Sequence, residues 1–377
     1  MKRLIKKLIK IGKNTPKPLI NISVSRSAIL NNINQFKKLK PGCDIAPVLK
    51  SNAYGHGLSL IANEIKNEKI PFFIIDSYFE ACALRNENIY NPLLIIGYSS
   101  TDAILNNYLK EIIFTISSID ALKELSKDIK RKTNIHIKID TGMNRQGIST
   151  IEKDEATMII KNNKNIILQG ICSHFSDADG IDQNHTKMQI RNWNEQVEYF
   201  RKQFPNLKYW HISATAGHIF NDVESNITRL GIGLYGLTNI SNLQLKPALE
   251  MKTIITNIKK IKTGDKVGYN NTFNAKEEMT IATIPAGYNE GIDRRLSNNG
   301  FVKISNTFCP IIGRVSMNIT TIDISKIKYP KIGDEVIVLS ANKKDKNSIE
   351  NIAKECNTIP YEIAVHIPQY LRRDIVL

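Results

Sequence analysis

The stretch Pro47-Val-Leu-Lys-Ser-Asn-Ala-Tyr-Gly-His-Gly57 is a short apolar run ending in one lysine, followed by small residues, two glycines and then a segment of helical spacing. A strand, a tight turn and a helix in that order place Lys50 at the mouth of whatever sheet the strand joins. A lysine in that position can bond reversibly to an aldehyde. It can equally be a charged tip carried into solvent over an apolar stem. Lys50 alone does not separate the two readings.

The same unit recurs along the chain. Apolar runs at 44–50, 71–76, 91–97, 111–117, 134–140, 166–174, 207–213 and 228–235 alternate with segments of helical period, after a β-like run at 19–24 and an amphipathic helix at 25–40. Runs such as Phe72-Phe73-Ile74-Ile75 and Leu93-Leu94-Ile95-Ile96 are apolar on both faces, as strands covered on both sides must be. Eight such units predict a (β/α)8 TIM-like barrel with its site at the C-terminal ends of the strands. An open doubly wound sheet is the competing arrangement. Beyond Leu245 short β-like runs come close together, separated by turns such as Asn298-Asn299-Gly300, which predicts a mainly β C-terminal domain. The expected division is a basic extension (1–18), the barrel (19–245) and the β domain (246–377).

The 377 residues carry a formal charge of +16, but seven of those charges lie before position 18, with no acid among them. The remaining excess is spread over a chain rich in Lys, Asn and Ile, so neither a nucleic-acid partner nor stable membrane association is expected. No apolar run reaches the roughly 18 residues that cross a bilayer. Five cysteines without a C-x-x-C pair read as thiols of a reducing, cytoplasmic compartment, with no metal site.

Several expected strands end in polar groups: Lys50, Arg145, His174, Thr215 and Arg229. Gathered at one barrel mouth, the cations would bind a phosphate or phenolate, and pyridoxal phosphate is the obvious aldehyde for Lys50. Gly231-Ile-Gly-Leu-Tyr-Gly236 matches G-x-G-x-x-G, yet no long amphipathic helix follows it, so a dinucleotide site is not expected. His174-Phe-Ser-Asp177-Ala-Asp179 lacks partner spacing for a metal and reads as hydrogen-bonding chemistry at a strand end.

With Lys50-Ser-Asn-Ala-Tyr-Gly-His-Gly57, His136-Ile-Lys-Ile-Asp-Thr-Gly-Met-Asn-Arg145, Arg229-Leu-Gly-Ile-Gly-Leu-Tyr-Gly236, Val267-Gly-Tyr269, Ile284-Pro-Ala-Gly-Tyr288, Gly313-Arg-Val-Ser-Met317 and Thr358-Ile-Pro-Tyr-Glu362 in that order, the chain resembles the alanine racemase family. The resemblance implies a homodimeric pyridoxal-phosphate enzyme that interconverts L- and D-alanine, supplying D-alanine for peptidoglycan. It makes Lys50 the cofactor lysine and the base on one face of the substrate. Tyr269 becomes the base reaching the opposite face from the partner subunit; read by itself, Tyr269 is a packing residue of the β domain. Arg229 would face the pyridine nitrogen. Arg145 would lie near the cofactor's phenolic oxygen and the substrate carboxylate. Tyr54, Tyr361, Thr215 and the amides near Gly231 and Ile232 would hold the phosphate, and His174 would orient Arg229 and Tyr269. Lys138 matches a position often carbamylated, and Met317 and Tyr288 would narrow the substrate entrance.

Two departures bear on this expectation. Ala214-Thr215-Ala216 stands where the family usually has Asn-Ser-Ala, and Asn318 follows Met317 where an acid is common. A racemase for serine or a basic amino acid such as lysine, and a non-catalytic pyridoxal-phosphate carrier, are the alternatives.

Overall fold

The structure is a computed structural model and describes residues 17–377; most of the basic extension lies outside the described residues. Two compact units emerge, one made of Ser23–Leu249 with Ser340–Gln369 and Ile375–Leu377, the other of Glu250–Leu339 with Tyr370–Asp374 and the described residues up to Ile22. The two helical turns Ile349–Glu355 and Pro360–Val365 thus belong with the first unit, although they follow the β segment in sequence.

In the first unit the eight apolar runs become eight strands: β1 (Asp44–Pro47), β2 (Phe73–Ile75), β3 (Leu93–Ile95), β4 (Ile112–Ile116), β5 (Thr133–Asp140), β6 (Ile166–Cys172), β7 (Tyr209–His211) and β8 (Ile227–Leu230). All neighbours run parallel, from β2 through β7 and again from β8 to β1. A parallel bridge between Val48 and Ile74 joins β1 to β2. Between β7 and β8 the backbone bonds are Asn226 N to Trp210 O at 3.1 Å and Arg229 N to Ser213 O at 3.1 Å. The sheet therefore closes on itself, as the TIM-like reading expects.

Closure buries both faces of each strand, and Phe72, Phe73, Ile74, Ile75, Leu93, Leu94 and Ile95 are accordingly inaccessible. The helices start where the sequence offers caps. Ser25, Ser77, Ser100 and Ser118 each accept a first-turn backbone N–H, which fixes where these four helices begin. Helix α1 (Arg26–Leu39) buries Ile29, Ile33 and Phe36, the stripe its spacing specifies.

The second unit is antiparallel. Strands β9 (Leu249–Ile254), β14 (Phe301–Ile304), β15 (Thr307–Pro310) and β17 (Glu335–Leu339) pair in the order β15-β14-β17-β9. A three-stranded sheet joins β10 (Asn257–Ile261), β13 (Met279–Ile284) and β16 (Thr320–Asp323), and a small hairpin joins β11 (Lys266–Val267) to β12 (Phe273–Asn274). Ile261, Val267, Ala275, Ile281 and Ile312, with Phe273 and Met279 against them, form a core under that hairpin.

Candidate active site

Past β1 the chain does something its composition does not announce. Ser51, Asn52, Ala53 and Tyr54 all have φ between 52° and 55°, a left-handed turn of four consecutive non-glycine residues. Each such residue costs roughly 1–2 kcal/mol, so the turn persists only where its surroundings over-determine it. Local bonds do part of this: Ala53 N donates to Leu49 O at 2.8 Å, Gly57 N to Asn52 O at 2.9 Å and Leu58 N to Asn52 Oδ1 at 2.9 Å. From Glu80, on helix α2 (Tyr78–Asn86), comes a further restraint, since its Oε1 accepts Ser51 N–H at 2.7 Å.

Lys50 lines a cavity of about 880 Å³ at the C-terminal mouth of the barrel, together with Tyr54, Lys138, Arg145, His174, Thr215, Arg229, Gly231, Ile232 and Tyr361. The structure thus gathers every barrel residue singled out from the sequence. The volume suits a cofactor and a small substrate together. At the cavity wall the Lys50 amine stands 3.7 Å from Asp76 Oδ1.

Arg229 is the best-fixed group in the mouth, only 7% exposed. Its Nη1 donates to His211 Nδ1 and to His211 O, both at 2.8 Å. Its Nη2 donates to Ser173 O and Ile212 O at 2.8 Å and to His174 Nδ1 at 2.9 Å. All these acceptors are neutral, and among the described residues no carboxylate pairs with it. An unneutralised buried cation keeps its neighbours unprotonated. Burial, then the Arg229 charge, holds both His136 and His174 down at about 3, and burial and Arg229 push His211 far below the ordinary range. Because His211 accepts through Nδ1, its Nε2 carries the hydrogen that reaches His136 Nδ1 at 3.1 Å.

A second corner is shaped for a compact anion. A Cβ on Gly231 would fall 2.7 Å from the Tyr54 hydroxyl, so only glycine leaves that space open. Thr215 Oγ1 accepts Gly233 N–H at 3.2 Å, which leaves its own O–H to donate. The Tyr54 and Tyr361 rings line the same cavity, tilted 48° to each other with centroids 5.8 Å apart, and burial pushes the Tyr361 hydroxyl up to about 12, so it remains a donor. Gly231–Leu237 is a tight turn closed by Leu234 N to Gly231 O at 2.9 Å, without the long helix of a dinucleotide site.

Lys138 is 3.4 Å from Gln146 Oε1, and burial lowers its pKa, with Arg145 and Arg229 adding to the effect against Cys172. Arg145 itself is exposed.

Tyr269, Tyr288 and Met317 lie in the β unit. Tyr269 opens a turn after Gly268, whose φ is 76°, and is 70% exposed, so it is not a packing residue. Tyr288 and Met317 occupy two loops tied to each other by Tyr288 N to Ser316 O at 3.0 Å and Asn289 N to Met317 O at 2.9 Å. Asn318 Nδ2 donates to buried Glu290 Oε1 at 2.6 Å. An acid at position 318 would set two carboxylates against each other, so the amide suits this loop pair.

Sequence reasoning missed Asp76, Glu80, His136 and His211 as parts of the site. The two histidines carried a signal: polar residues at inward positions of otherwise apolar strands.

Comparison with known proteins agrees with this geometry. The family models "Alanine racemase, N-terminal domain" and "Alanine racemase, C-terminal domain" match residues 24–239 and 248–375. An alanine racemase of Lactobacillus gasseri is 33% identical, covering 93% of this chain and 96% of its own. Alanine racemase 2 of Bacillus subtilis is 32% identical over 94% of both chains. The alanine racemase structure from Clostridium difficile superposes with a TM-score of 0.88 at 27% identity, covering 96% of this chain and 97% of its own. One from Bacillus anthracis, with bound L-Ala-P, gives 0.87 at 27% identity over 96% of each. Barrel, β unit and cation-lined mouth are those of one family, and the chain belongs to the alanine racemases.

Proposed function

We propose that the protein interconverts L- and D-alanine by moving the α-proton between Lys50 on one face of the substrate and Tyr269 on the other. The chain is a racemase, an isomerase, and its family works with pyridoxal phosphate. The residues present fit that cofactor: the space kept by Gly231 beside Tyr54, with the free donor of Thr215, suits its phosphate. Tyr361 and the amides at Gly231 and Ile232 would add donors, and Arg229 would meet the ring nitrogen. When bound, the cofactor supplies an aldehyde for the amino group and a ring that acidifies the α-hydrogen.

The observation that carries the reading is Arg229, a buried guanidinium held only by neutral acceptors. Facing the ring nitrogen of the bound cofactor, such a cation would keep that nitrogen unprotonated and so disfavour side reactions. Racemisation needs a base on each face, because a proton removed from one side must be returned on the other. Lys50 supplies one. Exposed Tyr269 supports a second base offered to another subunit's mouth, with Tyr288 and Met317 narrowing the entrance and the enzyme acting as a homodimer. Arg145 would take the substrate carboxylate. The lowered pKa of Lys138 leaves more free amine, the form that carbamylation consumes.

None of the five cysteines forms a disulfide, which supports a cytoplasmic enzyme supplying D-alanine to peptidoglycan synthesis. Among the described residues no helix is long and apolar enough to cross a membrane. Incubating the holoenzyme with L-alanine, L-serine and L-lysine and separating the products by chiral chromatography tests the substrate. Alanine should turn over fastest; a tenfold preference for either rival would displace it.

A further inference from the structure

Glu80 is not part of the cavity wall, yet both its carboxylate oxygens are committed to backbone next to it. Oε1 accepts Ser51 N–H at 2.7 Å, the first residue of the left-handed turn. Oε2 accepts Asp76 N–H at 2.7 Å, at the exit of β2. One carboxylate thus ties the residue after Lys50 to the residue whose side chain faces the Lys50 amine at 3.7 Å. Asp76 is confined in turn by Gly97: a Cβ there would fall 2.2 Å from Asp76 O and 3.0 Å from its Oδ2. The remaining charged groups lining the mouth are the cations Lys138, Arg145 and Arg229 and the carboxylate of Asp179; Lys50 makes its ion pair with Asp76, and His174 is held neutral. Asp76, at 3.7 Å, is the acid placed to receive a positive charge on Lys50.

We propose that Glu80 is a positioning residue that fixes Lys50 and Asp76 as a pair, and that Asp76 seats the Lys50 ammonium while the lysine is not bonded to the cofactor. The inference rests on Lys50 being the cofactor lysine. Glu80 acts through the backbone, so it matters whether or not the amine is bonded. Asp76 acts through its side chain, so it matters only when the amine is free and carries the proton.

The test uses full-length holoenzyme as wild type, Glu80→Gln, Asp76→Asn and the double variant. It reads visible circular dichroism of the bound cofactor, kcat and KM for alanine, and Tm. Glu80→Gln keeps one acceptor and turns a donor against the other N–H. It should lose cofactor optical activity and lower kcat about tenfold, with KM within about twofold. Asp76→Asn should keep the optical activity and lower kcat about threefold. The double variant should be no slower than Glu80→Gln, because both act on one pair. Wild-type dichroism and kcat in Glu80→Gln, even with a lowered Tm, would overturn the positioning role. An unchanged kcat in Asp76→Asn would overturn the seat. Borohydride trapping followed by peptide mapping of wild type separates the two levels: a tag on any lysine other than Lys50 overturns the active-site reading, and this inference with it.

Discussion

Arg229 of the barrel unit and Tyr269 of the β unit present functional groups in opposite ways. Arg229 is 7% exposed with its hydrogen bonds made by its own unit; Tyr269 is 70% exposed at the head of a turn. The proposed cofactor pocket around Arg229 is held by its own hydrogen bonds, so its groups would cost little to reorder during reaction. In the proposed role Tyr269 would act against a surface that its own loop does not provide. All seven histidines of the chain also lie in the barrel unit, and three of them adjoin or follow Arg229 in one buried network.

Lys50→Ala should break this comparison most severely. It removes the only proposed covalent link to the cofactor and one of two bases, so racemisation should fall by at least about 10³-fold and borohydride should trap no cofactor at position 50. Tyr269→Phe should leave cofactor attachment intact and stability within about 0.5 kcal/mol, as for an exposed side chain. Racemisation should still drop about 10²- to 10⁴-fold. Lys50 remains able to remove and return a proton on its own face, so solvent exchange at the α-carbon of D-alanine should survive better than inversion. Equal loss of exchange and inversion would argue against two bases.

A smaller effect separates the units by acid sensitivity. His136 and His174 are held at about 3, below the ordinary value of 6.5. Above pH 6.5 neither the folded nor the unfolded chain protonates them, and stability is unaffected. As pH falls below 6.5 the unfolded chain takes up protons that the folded chain refuses, so stability declines progressively towards pH 3. Between about pH 7 and 5.5 these two groups should cost about 2–3 kcal/mol, with His211 adding to the loss, read by urea denaturation. His136→Gln should reduce that loss, and a pH-independent transition would contradict the network.

The barrel was legible in the sequence because closure leaves a plain mark: strands such as 72–75 must be apolar on both faces. The ring of strand-end groups was legible for a similar reason, since a polar residue closing an apolar run has to point somewhere useful. The left-handed turn was not. Ser51, Asn52, Ala53 and Tyr54 have no intrinsic preference for positive φ, and what holds them includes Glu80, 29 residues further on. Glu80 looked like an ordinary acid in a helix first turn, which it also is. Ser340–Gln369 joins the barrel unit although chain order sets it after the β strands, a matter of tertiary packing that periodicity does not encode.

The central claim is that one enzyme moves the α-proton of alanine between two faces through solvent-exchanging bases. The most direct measurement incubates the holoenzyme with L-alanine in deuterium oxide and follows chirality and α-deuterium together. The account predicts conversion to an equimolar L/D mixture in which the newly formed D-alanine carries deuterium at the α-carbon. Cofactor-loaded protein that leaves L-alanine unconverted and fully protiated would contradict it.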